Sequence, residues 1–343
     1  MIFKRKTFIM MTLLAGLMIF TADAQKRVVL QSEGEMTTFS TANSFIDAYN
    51  AAVDGDTIYL PGLEYATPSQ FNKRLVVFGA GHHPTFTEAT GITSMSELRL
   101  GSGAAGSHIE GIHVKGHVIF ASNTKIDDVT LKRLRINGSI NITGTDPDNN
   151  SDNISIIECI SGEINGQNTK NLKISNCFLN KRIINLSNNG WVSNSVIIEH
   201  FDNFVNVHQS NIENNIIITN STTASNQGVA SSTGNLFSNN IFSKNPTGLA
   251  NNTWENNHVN ISPLDLFENY LNPFSYDADY NLKTPAAYTG TGTTGQIGLF
   301  GGLNPFKPNA LPVVPHVIEH TIATSVNEQG EIEVSVSVEA QDR

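Results

Sequence analysis

Through the middle of the chain a short phrase recurs about every twenty residues. It places an apolar residue, a polar one, a third that is polar and often Asn, and then a small inward residue. The first copy is Ile109-Glu110-Gly111-Ile112 and the last Trp254-Glu255-Asn256-Asn257, with others starting at Leu131, Ile156, Ile174, Val192, Ile212 and Phe237. A unit this short cannot bury its own apolar side, so it must stack on its neighbours, and the chain reads as a solenoid. Segments such as Val129-Thr130-Leu131 and Leu172-Lys173-Ile174 alternate with period two and favour β-branched residues, which predicts strands. Long amphipathic runs that would mark a helical repeat are absent. The fold class is therefore all-β, with coils over residues 55–262.

The flanks have different patterns. Phe45, Ala48, Tyr49 and Ala52 follow helical spacing, with Thr41, Asn43 and Ser44 ahead as N-cap candidates and Gly55 as a stop. Strands are predicted at Thr57–Leu60 and Leu75–Phe78. Such a helix suits a cap over the apolar mouth of the stack. Beyond Pro263 the phrase is lost. Leu264–Leu271 predicts a short helix, and Pro305, Pro308, Pro312 and Pro315 predict a linker. In the tail Ile332, Val334, Val336 and Val338 alternate with Glu and Ser, which predicts a hairpin with His316–Thr324 through the turn Asn327–Gly330. That hairpin either packs back on the solenoid or starts a small β module. The expected organisation is residues 25–304 as the capped β-helix and 305–343 as linker and hairpin.

Asn at the third position of the phrase has a physical cause, since Asn tolerates the left-handed backbone and bonds neighbouring backbone groups. Asn214, Asn239 and Asn256 should form one column, and Asn215, Asn240 and Asn257 another, each bonding from coil to coil. Cys159 and Cys177, the only cysteines, share the fourth position of successive copies. Strands about 4.8 Å apart are within disulfide reach, but these side chains would point the same way. Buried free thiols are expected rather than a disulfide.

Residues 1–24 read as a secretory signal peptide: Lys4, Arg5 and Lys6, an apolar run from Phe8 to Phe20, and Ala22-Asp23-Ala24 before Gln25. The run is too short to span a bilayer, so no stable membrane span is expected after cleavage. The mature chain would be periplasmic, surface-bound or extracellular. A formal net charge of −10 argues against a nucleic-acid partner.

The stretch from Ala51 to Gly62, Ala-Ala-Val-Asp-Gly-Asp-Thr-Ile-Tyr-Leu-Pro-Gly, with Leu75-Val76-Val77-Phe78-Gly79-Ala80-Gly81, resembles the first coil of right-handed parallel β-helix proteins of the pectate-lyase-like superfamily. Gln296–Gly302 and Leu311–Pro315 are similar to a C-terminal signature of secreted bacterial β-helix proteins. The resemblance implies a right-handed parallel β-helix. It implies little about activity, because enzymes and adhesins share that scaffold. Three functions follow as expectations: binding of a polysaccharide or cell-surface glycan without catalysis, a polysaccharide lyase or related carbohydrate-active enzyme acting on uronate glycans, or a structural or adhesive surface protein that works through the C-terminal hairpin.

Lyase-like relatives need a base and a positive group for the uronate carboxylate, often Ca²⁺. Counting seven residues from each phrase start aligns Glu163, Lys181, Glu199 and Lys244, with Arg182 and His200 one further on. Lys181, Arg182, Glu199 and His200 are thus the candidate catalytic cluster, with Asp202 and His208 in the same coil as Glu199. The plainer reading is a charge ladder on a solvated face. Asp146, Asp148 and Asp152, with Asn149 and Asn150 between them, offer oxygen ligands for Ca²⁺ without EF-hand spacing. Asp127-Asp128 resembles a paired-acid step of polygalacturonase-like hydrolases, but neighbouring strand residues face opposite sides. His82-His83, after a turn Gly and before Pro84, reads as a surface turn.

Overall fold

The computed structural model describes residues 27–199, 201–220, 228–290 and 295–339. The segment read as a signal peptide lies outside them. The architecture is a parallel β-helix whose coils turn three corners and build three sheets of twelve, nine and seven strands. In the first sheet, strands from Thr57–Tyr59 to Thr253–Glu255 run parallel, in chain order. The second sheet runs from Glu64–Tyr65 to Ile241–Phe242, and the third from Leu98–Leu100 to Val229–Ala230.

Each phrase marks the corner between the first and second sheets. Its first residue points inward: Ile109, Leu131, Ile156, Ile174, Val192, Ile212 and Phe237 are all at most 1% exposed. Its third residue sits in the left-handed region in seven successive coils, from Arg133 (φ 49°) and Glu158 (φ 54°) through Asn176, Asn194, Asn214 and Asn239 to Asn256 (φ 49°). Asn reaches that conformation at low cost, which explains its fixed place in the repeat.

The fourth position forms an interior ladder. Cys159 N–H donates to Cys177 Sγ (3.4 Å), Cys177 N–H to Ser195 Oγ (3.1 Å) and Ser195 N–H to Asn215 Oδ1 (2.9 Å). Asn215 N–H then donates to Asn240 Oδ1 (2.9 Å) and Asn240 N–H to Asn257 Oδ1 (2.8 Å). The Asn Nδ2 groups reach back to Val192, Ile212 and Phe237 carbonyls. These corner amides, which the tight turn removes from the strand ladder, are thereby satisfied. The two thiols are free and buried. Burial, then the hydrogen bond with Cys159, pushes the Cys177 thiol well above its ordinary range.

The helix Ser44–Ala51 covers the N-terminal mouth as expected, inserting Phe45 (1% exposed) against Phe71 and Tyr65. Lys73 Nζ satisfies its last carbonyls, Tyr49 O (2.7 Å), Asn50 O (3.0 Å) and Ala52 O (2.7 Å). Ahead of it, Val28–Ser32 and Glu35–Phe39 form a hairpin that is not among the expected elements, although Val28-Val29-Leu30 is an apolar run. Val28–Ser32 pairs antiparallel with Thr57–Tyr59 and closes that sheet edge.

The C-terminal part differs most from expectation. The helix is one turn, Pro263–Leu266, and Phe267–Asn269 pairs with Asp279–Leu282. These elements cover the outer face of the second sheet, where Ile160, Phe178, Val196, Ile198, Ile216, Ile218 and Ile241 meet Leu266, Phe267, Tyr280, Ile297 and Phe306 in a second core. The Pro-containing segment is a docked strap rather than a linker. It runs back along the left-handed corner column. Gly298 N–H donates to Asn214 O (2.9 Å), Asn176 Nδ2 to Leu299 O (2.9 Å) and Gly301 O (2.7 Å), and Arg133 Nη1 to Leu311 O (3.1 Å). At Gly111 (φ 75°) an added Cβ would lie 3.2 Å from Pro312, so the strap's close approach depends on a bare backbone there. The hairpin His316–Ile322 with Val334–Glu339 follows; its valines 334, 336 and 338 stay more than half exposed, so it stands off the solenoid.

Candidate functional site

The charged column lies at the corner between the second and third sheets. This corner lengthens from coil to coil: Ser161 leads to Ile164, Leu179 to Ile183 and Glu199 to Phe204. A fixed count from the phrase therefore slips. Backbone bonds from Ile164 N–H to Arg182 O (3.1 Å) and from Ile183 N–H to Asn203 O (2.9 Å) place Arg182 in the row of Glu163 and Asn203. Arg182 Nε pairs with Glu163 Oε2 at 2.9 Å. Lys181 stands exposed beside that pair, and Glu199 ends its strand opposite Thr219. His200 lies outside the described residues. Burial raises the Asp202 carboxyl above its ordinary range; Arg182 opposes the shift and Glu199 adds to it. At this corner Arg182 is paired with Glu163 and, with Glu199, acts electrostatically on Asp202.

The acidic loop does not converge on one point. Asp146 caps the turn Pro147–Asn149, accepting from Asp148 N–H (3.0 Å) and Asn149 Nδ2 (2.7 Å). Asp152 Oδ1 accepts from Asn171 Nδ2 (2.7 Å) in a surface ladder. Among the described residues no three His, Cys, Asp or Glu gather as metal ligands. A cavity of about 350 Å³ beside the loop is lined by Gly144, Thr145, Pro147, Asn150, Gln167, Asn168 and Asn188, without a carboxylate. Asp127 and Asp128 are turn residues: Asp127 Oδ1 accepts from Asp152 N–H (2.9 Å), and Asp128, at φ 56°, accepts from Asn153 Nδ2 (2.6 Å).

His82 and His83 correct the expectation of an exposed turn, being only 1% and 9% exposed. The Tyr276 hydroxyl donates its single proton to His82 O (2.9 Å) and lies 2.6 Å from His82 Nδ1. Nδ1 is therefore the donor in that second contact. Burial, aided by Arg135, His113 and His83, holds the His82 pKa down at about 3. The ring is a neutral latch for the C-terminal segment. Arg135 stacks on the other partner, 5.0 Å from the Tyr276 ring centre.

The strap has a second latch. Arg133, 1% exposed, bridges Glu110 (Nη1 to Oε1, 2.9 Å) and Glu158 (Nε to Oε2, 2.9 Å). Glu110 Oε1 also accepts from Val313 N–H (3.1 Å). Lys132 approaches Glu158 at 3.6 Å and His108 approaches Glu110 at 2.8 Å. This cluster is absorbed in fastening the strap.

The outer face of the first sheet has a different character. Trp191 projects from its strand 46% exposed, with Lys173 and Asn211 at the same register position on either side. Its Nε1 donates to Glu213 Oε1 (3.2 Å), and Lys173 Nζ lies 6.0 Å from its ring centre. Toward the N-terminus the same face carries Tyr59 stacked on Phe78, with centroids 5.9 Å apart. The signal for Trp191 is visible in the sequence, as an aromatic at an outward position of the alternation Trp191-Val192-Ser193.

No family model, no curated protein and no solved structure matches this chain.

Proposed function

We propose that the chain is an exported β-helix protein, coiled right-handed like the pectate-lyase-like superfamily, that binds polysaccharide or cell-surface glycan without turning it over. The handedness follows the strong preference of parallel crossovers. The observation that carries the binding reading is Trp191. A large apolar ring fixed on a rigid strand, oriented by Glu213 and flanked by Lys173 and Asn211, offers a stacking surface with polar groups at its rim. Sugars present the matching chemistry, an apolar ring face bordered by hydroxyls. The long open sheet suits an extended polymer. Affinity electrophoresis or calorimetry over a panel of neutral and uronate polysaccharides tests it. Trp191→Ala should weaken binding at least about tenfold with unchanged thermal unfolding. Equal binding by the variant, or no binding to any polymer, would overturn the reading. N-terminal sequencing of the secreted chain should begin at Gln25.

The second reading, a polysaccharide lyase, is favoured by Arg182 beside the raised Asp202 carboxyl, a positive group next to a proton acceptor. An ultraviolet assay for unsaturated product on uronate polymers tests it, and activity that survives joint replacement of Lys181, Arg182 and His200 would sink it.

A further inference from the structure

Where the strap leaves the corner column it crosses the outer face of the first coils and roofs a cavity of about 450 Å³. That volume lies within the range of about 300–1,000 Å³ usual for small-molecule sites. The floor is aromatic: the Tyr59 and Phe78 rings are stacked with planes 22° apart. The roof is rigid and apolar, built from Pro312, Val314 and Pro315. His316 lines the same cavity. It is 9% exposed, and neither ring nitrogen has a hydrogen-bond partner.

An imidazole in that state is costly. Leaving a buried polar group unmade costs about 1–3 kcal/mol, and native proteins rarely tolerate it. Both nitrogens of His316 are open beside an otherwise apolar space. The only full charge among the lining side chains is Arg27, exposed at the cavity's rim. A molecule that completes this site needs a planar apolar body for the Tyr59–Phe78 floor and an anionic head for His316 and Arg27.

We propose that this cavity is a binding site for a small aromatic carboxylate, with its ring on Tyr59 and Phe78 and its carboxylate on His316 and Arg27. The site is remote from Trp191 in the fold and independent of the glycan reading. It also gives the strap a second role, since Pro312 and Pro315 form a wall that exists only when the C-terminal segment is docked.

The probe is indole-3-acetate, added to the full chain carrying ¹⁵N-labelled histidine, with the uncharged indole-3-ethanol and the ringless octanoate as controls. Indole-3-acetate should shift the His316 ring resonances saturably, and both controls should bind at least about tenfold more weakly. His316→Phe keeps the ring volume without the nitrogens, and its binding, read by calorimetry, should fall at least about tenfold. Arg27→Gln, at an exposed position that leaves folding intact, should reduce indole-3-acetate to the affinity of indole-3-ethanol. No His316 shift up to about 10 mM probe, octanoate binding as tightly as the aromatic acid, or full affinity in Arg27→Gln would each overturn the proposal. His316 resonances insensitive to all three probes, with bound water alone in a crystal of the protein, would overturn it as well.

Discussion

Replacing Arg133 by Met would remove the one guanidinium between Glu110 and Glu158. Those side chains are 0% and 2% exposed, and Arg133 makes its contacts with them at 2.9 Å. Lys132 and His108 sit at the margin, 15% and 32% exposed, and cannot take its place between the two carboxylates. Deleting one partner of a buried ion pair costs about 3–5 kcal/mol, because the charge left behind stays desolvated. The Leu311 carbonyl also loses its donor, which adds about 1 kcal/mol. We expect a loss of about 4–6 kcal/mol, a large share of the 5–15 kcal/mol or so that holds a typical domain together. Equilibrium urea unfolding measures it, and amide exchange at Val313, whose N–H donates to Glu110, reports release of the strap. The decisive control is the triple variant Arg133→Met, Glu110→Gln, Glu158→Gln. It removes the stranded charges together, so at least half of the lost stability should return. A single variant that loses less than about 1 kcal/mol, or a triple variant no more stable than the single one, would refute the reasoning.

The interior ladder and the histidine latch give two further tests. Asn240→Leu keeps the volume but strands Asn215 N–H and Ile212 O, which Asn240 now serves at 2.9 and 2.8 Å; the expected loss in urea unfolding is about 2–4 kcal/mol, and a loss below that of an exposed Asn171→Leu would count against the ladder. His82 has a folded pKa of about 3 against its ordinary 6.5, so the unfolded chain takes up the proton first as pH falls. Its contribution is complete above pH 6.5 and drains between 6.5 and about 3, with a slope approaching about 1.4 kcal/mol per unit. His83 and His113, also lowered by burial, act in the same direction, while Asp277 opposes the shift at His83. Stability measured against pH in His82→Gln should lose that part of the slope, and an unchanged slope would rule His82 out as its source.

The coils are legible in the sequence because one period governs them. The phrase marks a corner where the backbone must turn left-handed, and Asn at Asn176, Asn194, Asn214, Asn239 and Asn256 records that need directly. The fourth position is equally readable as an interior one: it holds Ile112 and Leu134 in the first copies, both 0% exposed, and then the hydrogen-bonding series Cys159, Cys177, Ser195 and Asn215. The candidate cluster slips for a physical reason. The next corner lengthens in successive coils, so a count that holds at the first corner carries Lys181 where Arg182 belongs. The docked C-terminal segment is also written in the chain, in another code. Val196-Ile197-Ile198 and Ile216-Ile217-Ile218 are at most 2% exposed throughout. Unbroken apolar runs of this kind mean that both faces of a strand are covered, whereas the repeat alone accounts for one. What covers the outer face is set by contacts far apart in sequence, such as Asn176 with Leu299, and no local pattern reports those.

The covered face decides where a partner can sit. The second sheet has given its outer side to the segment ending in the strap, and the strap occupies the corner column as far as Glu110. The third sheet presents the exposed Arg99 outward at its N-terminal end and then Ile119, Asn141, Asn165, Ile184, Val205 and Ala230, all half-buried and none of them charged or aromatic. Among the described residues the first sheet carries the aromatic side chains of an outer face, Tyr59 and Phe78 at its N-terminal coils and Trp191, with Lys173 and Glu213 beside it, farther along. Its two ends are treated differently. At the N-terminal coils the strap closes over the aromatic pair and encloses a cavity, which suits a small ligand. Around Trp191 the sheet stays flat and open, which suits a polymer that must pass across many coils. The C-terminal segment therefore does more than finish the fold: by choosing which faces to cover, it divides one repetitive surface into two sites of different shape.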